Sequence, residues 1–227
     1  MSNDIWTNIR ISGLPDDVAR FLDTVRSRER LLDFDCIVPM PPELLMDARP
    51  QDAEFAAALD DAERLTRALG CHLFLKDLFK AAGSPDTPDA FRTLAAQRVV
   101  VPGVDFARLW DVGVQARENR RRHGHCTWYS WCKAFWGTPH NAMDVTAAII
   151  DANAAAFRFS TVESIPRPIL FAIDEQFPTL SMTGTTMEEL GHWGAEIDGP
   201  VLTFGPPPRE RWEQELAIPV ADTSGKE

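Results

Sequence analysis

The strongest constraint on the fold is a change of hydrophobic period near the start of the chain. Apolar and polar side chains alternate from Ile5 to Ser12, the pattern of a half-buried β-strand. After Gly13 the apolar residues recur at helical spacing as far as Val25, and Pro15 lies where a first helical turn accepts proline. The chain therefore begins with a strand followed by a helix that can pack on its apolar face.

The second half of the chain returns to strand and helix patterns. Residues 142–150 and 154–160 predict two strands joined by a hairpin turn at 151–153, where Asp and Asn favour a tight turn. Ser164 as a cap and Pro166 in the first turn predict a helix that continues to Phe177. Later strands are predicted at 179–187 and 200–204.

Between these halves the sequence becomes helical and alanine-rich. This character extends from residue 43 to about residue 96, and a further helix is predicted at 105–122. The apolar face of that helix is expected to consist of Phe106, Leu109, Trp110 and Val114. Before the insertion, the prolines of residues 34–42 predict a short extended segment.

With the insertion set aside, the predicted elements follow the order βαββαβ. This order is typical of an α+β, ferredoxin-like sandwich, in which helices cover one face of an antiparallel sheet. The predicted domains are a ferredoxin-like core at 1–42 and 127–205, a helical insertion at 43–126, and an extended or flexible tail at 206–227.

The charge balance narrows the classes of partner. The chain contains 23 Lys and Arg against 34 Asp and Glu, so its net charge is −11. This field repels phosphate, which argues against direct nucleic-acid binding and against an anionic membrane surface. No apolar run is long enough to span a bilayer, and the first residues lack a signal-peptide pattern. The four cysteines fit no disulfide framework. A cytoplasmic protein of a bacterial host is expected.

Four segments resemble the YubB-type family of plasmid- and phage-encoded proteins, which has a ferredoxin-like domain of unknown function. They are DIWTNIRISG, FDCIVPMPPELL, TWYSWCKAFWGTPHNAMDV and FRFSTVESIPRPIL. The aromatic third segment is the most specific of them. Ile5, Thr7, His140 and the pair Val162–Glu163 depart from the family pattern. The resemblance implies an origin in a mobile genetic element and a cytoplasmic setting, and it implies no activity.

An acidic stretch is the first candidate binding surface. Residues 43–63 contain seven carboxylates and one arginine, and they could present negative charge to a basic partner. A solvated helical surface is the alternative explanation of the same pattern. The candidate acidic residues are Glu43, Asp47, Asp52, Glu54, Asp60, Asp61 and Glu63.

A basic and aromatic region is the second candidate. Residues 127–136 predict a short amphipathic helix that ends at Gly137, with Trp128, Trp131, Cys132 and Phe135 facing inward. Such rings either stack on a ligand or form core. The candidate residues of this region are Arg117, Arg120, Arg121, Arg122, Trp136 and His140, and the arginines could instead pair with the protein's own carboxylates.

No pattern identifies a reaction. His123, His125, Cys126 and Cys132 lie close in sequence but lack the spacing of a zinc site, and the chain contains no P-loop, GxSxG or GxGxxG motif. No metal or cofactor is expected. The sequence favours a non-enzymatic protein that binds another macromolecule, such as a basic, nucleic-acid-binding defence complex of the host. The alternative is a small-ligand binder or an enzyme with a cleft near helix 127–136, with His140 or His125 as acid–base.

Overall fold

The computed structural model describes residues 4–71 and 73–206, so the predicted tail from residue 207 onward lies outside the described residues. The protein is α+β. Its chain divides into two compact units: a sheet unit formed by residues 1–39 and 132–227, and a helical unit formed by residues 40–131. The elements are β1 Asp4–Ser12, α1 Pro15–Val25, α2 Phe34–Ile37, α3 Pro50–Ala58, α4 Ala62–Cys71, α5 Leu73–Ala81, α6 Pro88–Ala96, β2 Val100–Val101, β3 Val104–Asp105, α7 Phe106–His123, α8 Trp128–Phe135, β4 Met143–Asp151, β5 Ala154–Val162, α9 Arg167–Gln176, β6 Ser181–Glu188, β7 Gly194–Asp198 and β8 Val201–Gly205.

The sheet unit is built on a six-stranded antiparallel sheet in the order β4-β5-β1-β6-β7-β8. The alternation predicted for β1 is present, because Ile5, Ile9 and Ile11 are buried on one face. Phe21 of α1 packs its ring edge-on against Phe157 of β5 at 5.9 Å between centroids. The same ring meets Phe177, at the end of α9, at 5.2 Å. Both helices therefore contribute to the core on the isoleucine face.

The predicted hairpin between residues 142 and 160 is present as β4 and β5. Its turn is closed by Asp151, whose side chain accepts a hydrogen bond from the Asn153 amide at 2.7 Å. Asn153 in turn contacts the end of β1, since its carbonyl accepts from the Gly13 amide at 2.9 Å. The short polar turn thus fixes both the hairpin and its neighbour strand.

Two local predictions for the sheet unit were wrong, and one of its strands was missed. The segment 34–42 is not simply extended: α2 forms at its start, because the Asp33 side chain accepts from the Asp35 amide at 3.0 Å and caps the turn. Ser164 does not cap α9, which begins at Arg167 after Pro166; the Ser164 hydroxyl donates to the Gly137 carbonyl instead. Strand β7 was not predicted.

The helical unit is held together by two apolar clusters. One contains Phe79, Phe91 and Phe106, and the other contains small residues between α3 and α7. Gly113 of α7 lies against α3, and a Cβ placed on it would be 2.6 Å from the Ala56 carbonyl oxygen. The helices approach this closely because Gly113 has no side chain.

Two residues that were predicted to face inward, one on α7 and one on α8, are exposed in the structure. Val114 of α7 is 45% exposed, because the side of the helix that meets α3 carries Gly113 and Ala116. Phe135 of α8 is 43% exposed, whereas Trp136, just beyond the helix end, is 5% exposed. Trp136 follows the buried Cys132 by four residues, and its amide donates to the Cys132 carbonyl at 2.7 Å, so the buried face passes through these two residues. Among residues 4–71 and 73–206, no helix combines the length and apolar character needed to cross a membrane.

Candidate functional site

The acidic stretch of the helical unit is paired with arginines. Asp60 lies 2.8 Å from Arg92 and 3.7 Å from Arg117, measured between carboxylate oxygens and guanidinium nitrogens. Glu54 is 2.6 Å from Arg120. Two of these arginines belong to the basic cluster that the sequence offered as a separate candidate. Part of each cluster is therefore neutralised by the other.

The remaining acidic candidates also have partners within the helical unit. Their contacts are Asp47 with Arg108 at 3.2 Å, Asp52 with Arg49 at 2.8 Å, Glu63 with Arg67 at 3.2 Å, Asp61 with the Arg64 amide at 2.8 Å, and Glu43 with His123 at 3.8 Å. These contacts match the alternative explanation of the stretch, a solvated surface with internal ion pairs. They do not form a continuous, uncompensated negative face.

The distribution of charge along the whole chain leads to the same conclusion. Residues 40–131 contain 13 Asp and Glu against 12 Lys and Arg, so the helical unit is nearly neutral. The rest of the chain contains 21 acidic and 11 basic residues. The excess negative charge belongs to the sheet unit, outside the stretch that the sequence pattern singled out.

The arginines at the end of α7 are engaged by Glu118. This carboxylate lies 2.7 Å from Arg121 and 2.5 Å from Arg122. Hydrogen bonds from these two guanidinium groups lower the pKa of Glu118 to about 2. The basic cluster is therefore paired with carboxylates of its own unit rather than presented bare to phosphate.

Trp136 and His140 belong to the sheet unit, whereas the candidate arginines belong to the helical unit. Trp136 is buried in the sheet unit, where its Nε1 donates to the Val38 carbonyl at 2.9 Å and its ring meets Phe34 edge-on at 6.0 Å. His140 is exposed. Trp136 therefore packs as a core ring of the sheet unit.

The histidine and cysteine residues likewise form no metal site. Within residues 4–71 and 73–206, no group of three or more His, Cys, Asp or Glu side chains is placed to hold a metal ion. Burial raises the pKa of the Cys126 thiol to about 11 and that of Cys132 to about 12. Both behave as small buried apolar residues, as the sequence analysis allowed.

Within the described part of the helical unit lies an apolar groove of about 880 Å³, which is suited to binding. Its floor includes Met46, Ala48 and Val112, which pack on the small-residue cluster between α3 and α7. Val100, 68% exposed, lies at its open side. The other apolar residues of the lining are Pro50, Phe55, Leu78, Val104, Leu109 and Trp128.

The charged residues of the groove are held by partners within it. Arg108 pairs with Asp47, and Arg49 pairs with Asp52. Asp105 caps α7 by accepting hydrogen bonds from the amides of Ala107 and Arg108 at 2.9 and 3.1 Å. The groove thus offers an apolar surface bordered by charges of both signs.

A smaller apolar pocket of about 400 Å³ lies beside the groove and shares Pro50 and Phe55 with it. Thr127, Tyr129 and Ser130, at the start of the aromatic helix, form its other side. The Thr127 side-chain oxygen is buried without a hydrogen-bond partner. This pocket therefore lies at the start of the aromatic helix, and neither Trp136 nor His140 lines it.

Neither cavity was predicted from the sequence, because the lining comes from separate segments. Residues 46–55, 78, 100–112 and 128 meet only through the packing of the helical unit. In the sequence, the groove is marked locally by the short apolar run at 99–101.

Comparison with known proteins does not show a family for this chain. No family model and no curated protein matches the sequence. Among solved structures, it is similar to the protein api92 from Yersinia pseudotuberculosis, of the DUF1281 family model. The match has 11% sequence identity and a TM-score of 0.42, and covers 91% of this chain and 98% of that chain. A likeness at this level assigns neither a shared fold nor a function.

Proposed function

We propose that the protein binds another macromolecule, and that the apolar groove of the helical unit is the binding site. The observation that carries this proposal is the groove itself. Its volume of about 880 Å³ falls within the usual range of ligand sites, and apolar side chains form most of its lining. An exposed valine at its open side extends the apolar surface toward the solvent.

The occupant that fits best is an amphipathic helix of a partner protein. Such a helix places its apolar stripe in a groove, while residues of either sign flank the stripe. The pairs Arg108–Asp47 and Arg49–Asp52 supply both signs at the border. A small charged metabolite fits less well, because the charged groups of the groove already have intramolecular partners.

A defined pair of peptides tests this function. One is a soluble amphipathic helix built from Leu, Lys and Glu, and the other has every Leu replaced by Ala. Calorimetry should detect saturable binding of the Leu peptide alone. Val100→Glu should weaken that binding by about tenfold or more, because it places a charge at the apolar opening. Val114→Glu is the matched control, since Val114 is also an exposed valine of the helical unit but does not line the groove.

A small-ligand site is the second candidate, and the pocket beside the groove favours it. The buried, unpartnered Thr127 oxygen could donate to a ligand that enters next to Tyr129. The same experiment separates the two functions. If the dye anilinonaphthalenesulfonate binds at one site per chain and the Leu peptide does not compete with it, the macromolecular proposal is wrong.

We also propose that the sheet unit is a ferredoxin-like βαββαβ sandwich extended by two strands. The order β4-β5-β1-β6 supports this, with α1 following β1 and α9 joining β5 to β6. Strands β7 and β8 continue the sheet beyond β6. The resemblance to the YubB-type family, an origin in a mobile element and a cytoplasmic setting remain predictions.

A further inference from the structure

The sheet unit contains a long segment that is rich in carboxylates and has no Lys or Arg. Between Arg167 and Arg209 the chain contains six carboxylates and no Lys or Arg. Helix α9 and strands β6, β7 and β8 all lie in this interval. This interval therefore contributes a large share of the excess negative charge, and within it Glu188 is paired with His192 at 3.1 Å.

Strand register places two of these carboxylates beside the outer strand. Glu196 pairs with Thr203, and Asp198 pairs with Val201, so both acidic side chains lie on one face of the β7–β8 hairpin. Both are exposed. Leu202 and Phe204 point to the other face, and Phe204 is 63% exposed. The hairpin therefore carries the β7 carboxylates, with the exposed Val201 beside Asp198, on one face, and Leu202 and Phe204 of β8 on the other.

Strand β8 lies at the edge of the sheet in the described chain and lacks the usual protection of an edge. Natural edge strands are commonly blocked by lysine, proline or a bulge. The sequence of β8 is VLTFG, and its register with β7 has no shift. The opposite edge differs, since β4 has two register shifts and Asp144 within it has φ +49°. The backbone of β8 is thus suited to pair with a further strand.

We propose that β8 accepts a basic, extended segment of a partner protein as an additional strand of the sheet. Main-chain hydrogen bonds to β8 hold the segment, as in other cases of strand addition. Its Lys or Arg side chains lie on the face of Glu196 and Asp198, and its alternate, apolar side chains lie on the face of Phe204. Charge complementarity selects a basic segment because Glu196 and Asp198 are the charged side chains of this hairpin.

Synthetic peptides test the proposal on the intact chain. The probe is a short peptide of alternating Lys and Val, and the comparison peptides alternate Glu and Val, or carry N-methyl groups on every second Lys–Val amide. Fluorescence anisotropy should show binding of the Lys–Val peptide alone. Glu196→Lys combined with Asp198→Lys should weaken it by about tenfold or more. Asp16→Lys combined with Glu29→Lys is the matched control, because it changes the net charge equally at exposed sites outside the interval between Arg167 and Arg209.

Three results would overturn the proposal. Equal weakening by the two double variants would mean that the peptide responds only to net charge. Binding of the N-methylated peptide would exclude strand pairing. Slow hydrogen exchange, without peptide, of those β8 amides that do not bond to β7 would mean that another part of the chain or a second copy already holds the edge.

Discussion

Arg120 of α7 donates a hydrogen bond to Glu54 of α3 at 2.6 Å, and so joins the basic cluster of the helical unit to its acidic stretch. In the sequence these two clusters are rival candidate surfaces. In the fold they stabilise the contact between two helices that approach closely at Gly113. A run of like charges in the sequence therefore does not show how much net charge that segment contributes to the surface of the folded protein.

Asp60 should contribute more to stability than its exposed neighbours. It is 29% exposed and faces both Arg92 and Arg117, whereas Asp47 is fully exposed beside Arg108. Asp60→Asn should lower the free energy of unfolding by about 1 to 2 kcal/mol, because two guanidinium groups lose their anionic partner. Asp47→Asn, the control, should change it by about 0.5 kcal/mol or less. Urea titration measures both, and equal effects would contradict the expectation.

Glu118 should make stability depend on pH in the acid range. Hydrogen bonds from Arg121 and Arg122 lower its pKa from 4.5 to about 2 in the folded chain. Because the folded pKa is the lower one, this contribution is present above about pH 4.5 and is lost as the pH falls toward 2. Glu118→Gln should therefore reduce the slope of Tm against pH in that interval. Asp86→Asn, which removes another exposed carboxylate, should leave the slope unchanged.

The buried thiols should resist modification in the folded protein. Desolvation raises the pKa of Cys126 to about 11 and of Cys132 to about 12, so almost no thiolate forms at neutral pH. Cys36 is only partly buried and should react first, although burial and the nearby Asp33 and Asp35 raise its pKa too. In a Cys71→Ser background, dithionitrobenzoate should label one thiol before unfolding and three after. Stoichiometric zinc in elemental analysis would contradict the expected absence of metal.

Local sequence patterns predicted an element correctly where the signal lies within that element's own residues. Alternation predicted β1, and the turn residues at 151–153 predicted the hairpin between β4 and β5. Strand β7 was missed because its sequence GAEID is short, begins with glycine and contains two carboxylates. The α2 turn was missed because the cap at Asp33 lies outside the proline-rich segment that was interpreted.

The candidate sites depended on contacts that no local pattern contains. The groove draws its residues from elements far apart in the helical unit, and the ion pairs of Asp60 reach residues 92 and 117. The carboxylates of the β7–β8 hairpin were not recognised in the sequence for a different reason. The six carboxylates between Arg167 and Arg209 lie on α9, β6, β7 and just after β6, so they form no dense run, and the signal in the sequence is the lack of Lys and Arg.

The aromatic helix α8 carries one ring that is buried, Trp131, and one that is largely exposed, Phe135. Trp131 is 5% exposed, whereas Phe135, one turn later, is 43% exposed although helical spacing had assigned both to the inward face. Trp131→Ala should therefore lower the free energy of unfolding by about 3 to 5 kcal/mol, the cost of removing a buried aromatic ring. Phe135→Ala should cost about 1 kcal/mol or less, because much of that ring is already in water. Thermal melting of the two variants measures the difference. A larger loss for Phe135→Ala would show that its ring is covered in solution, and a folded Trp131→Ala variant of unchanged Tm would remove Trp131 from the core.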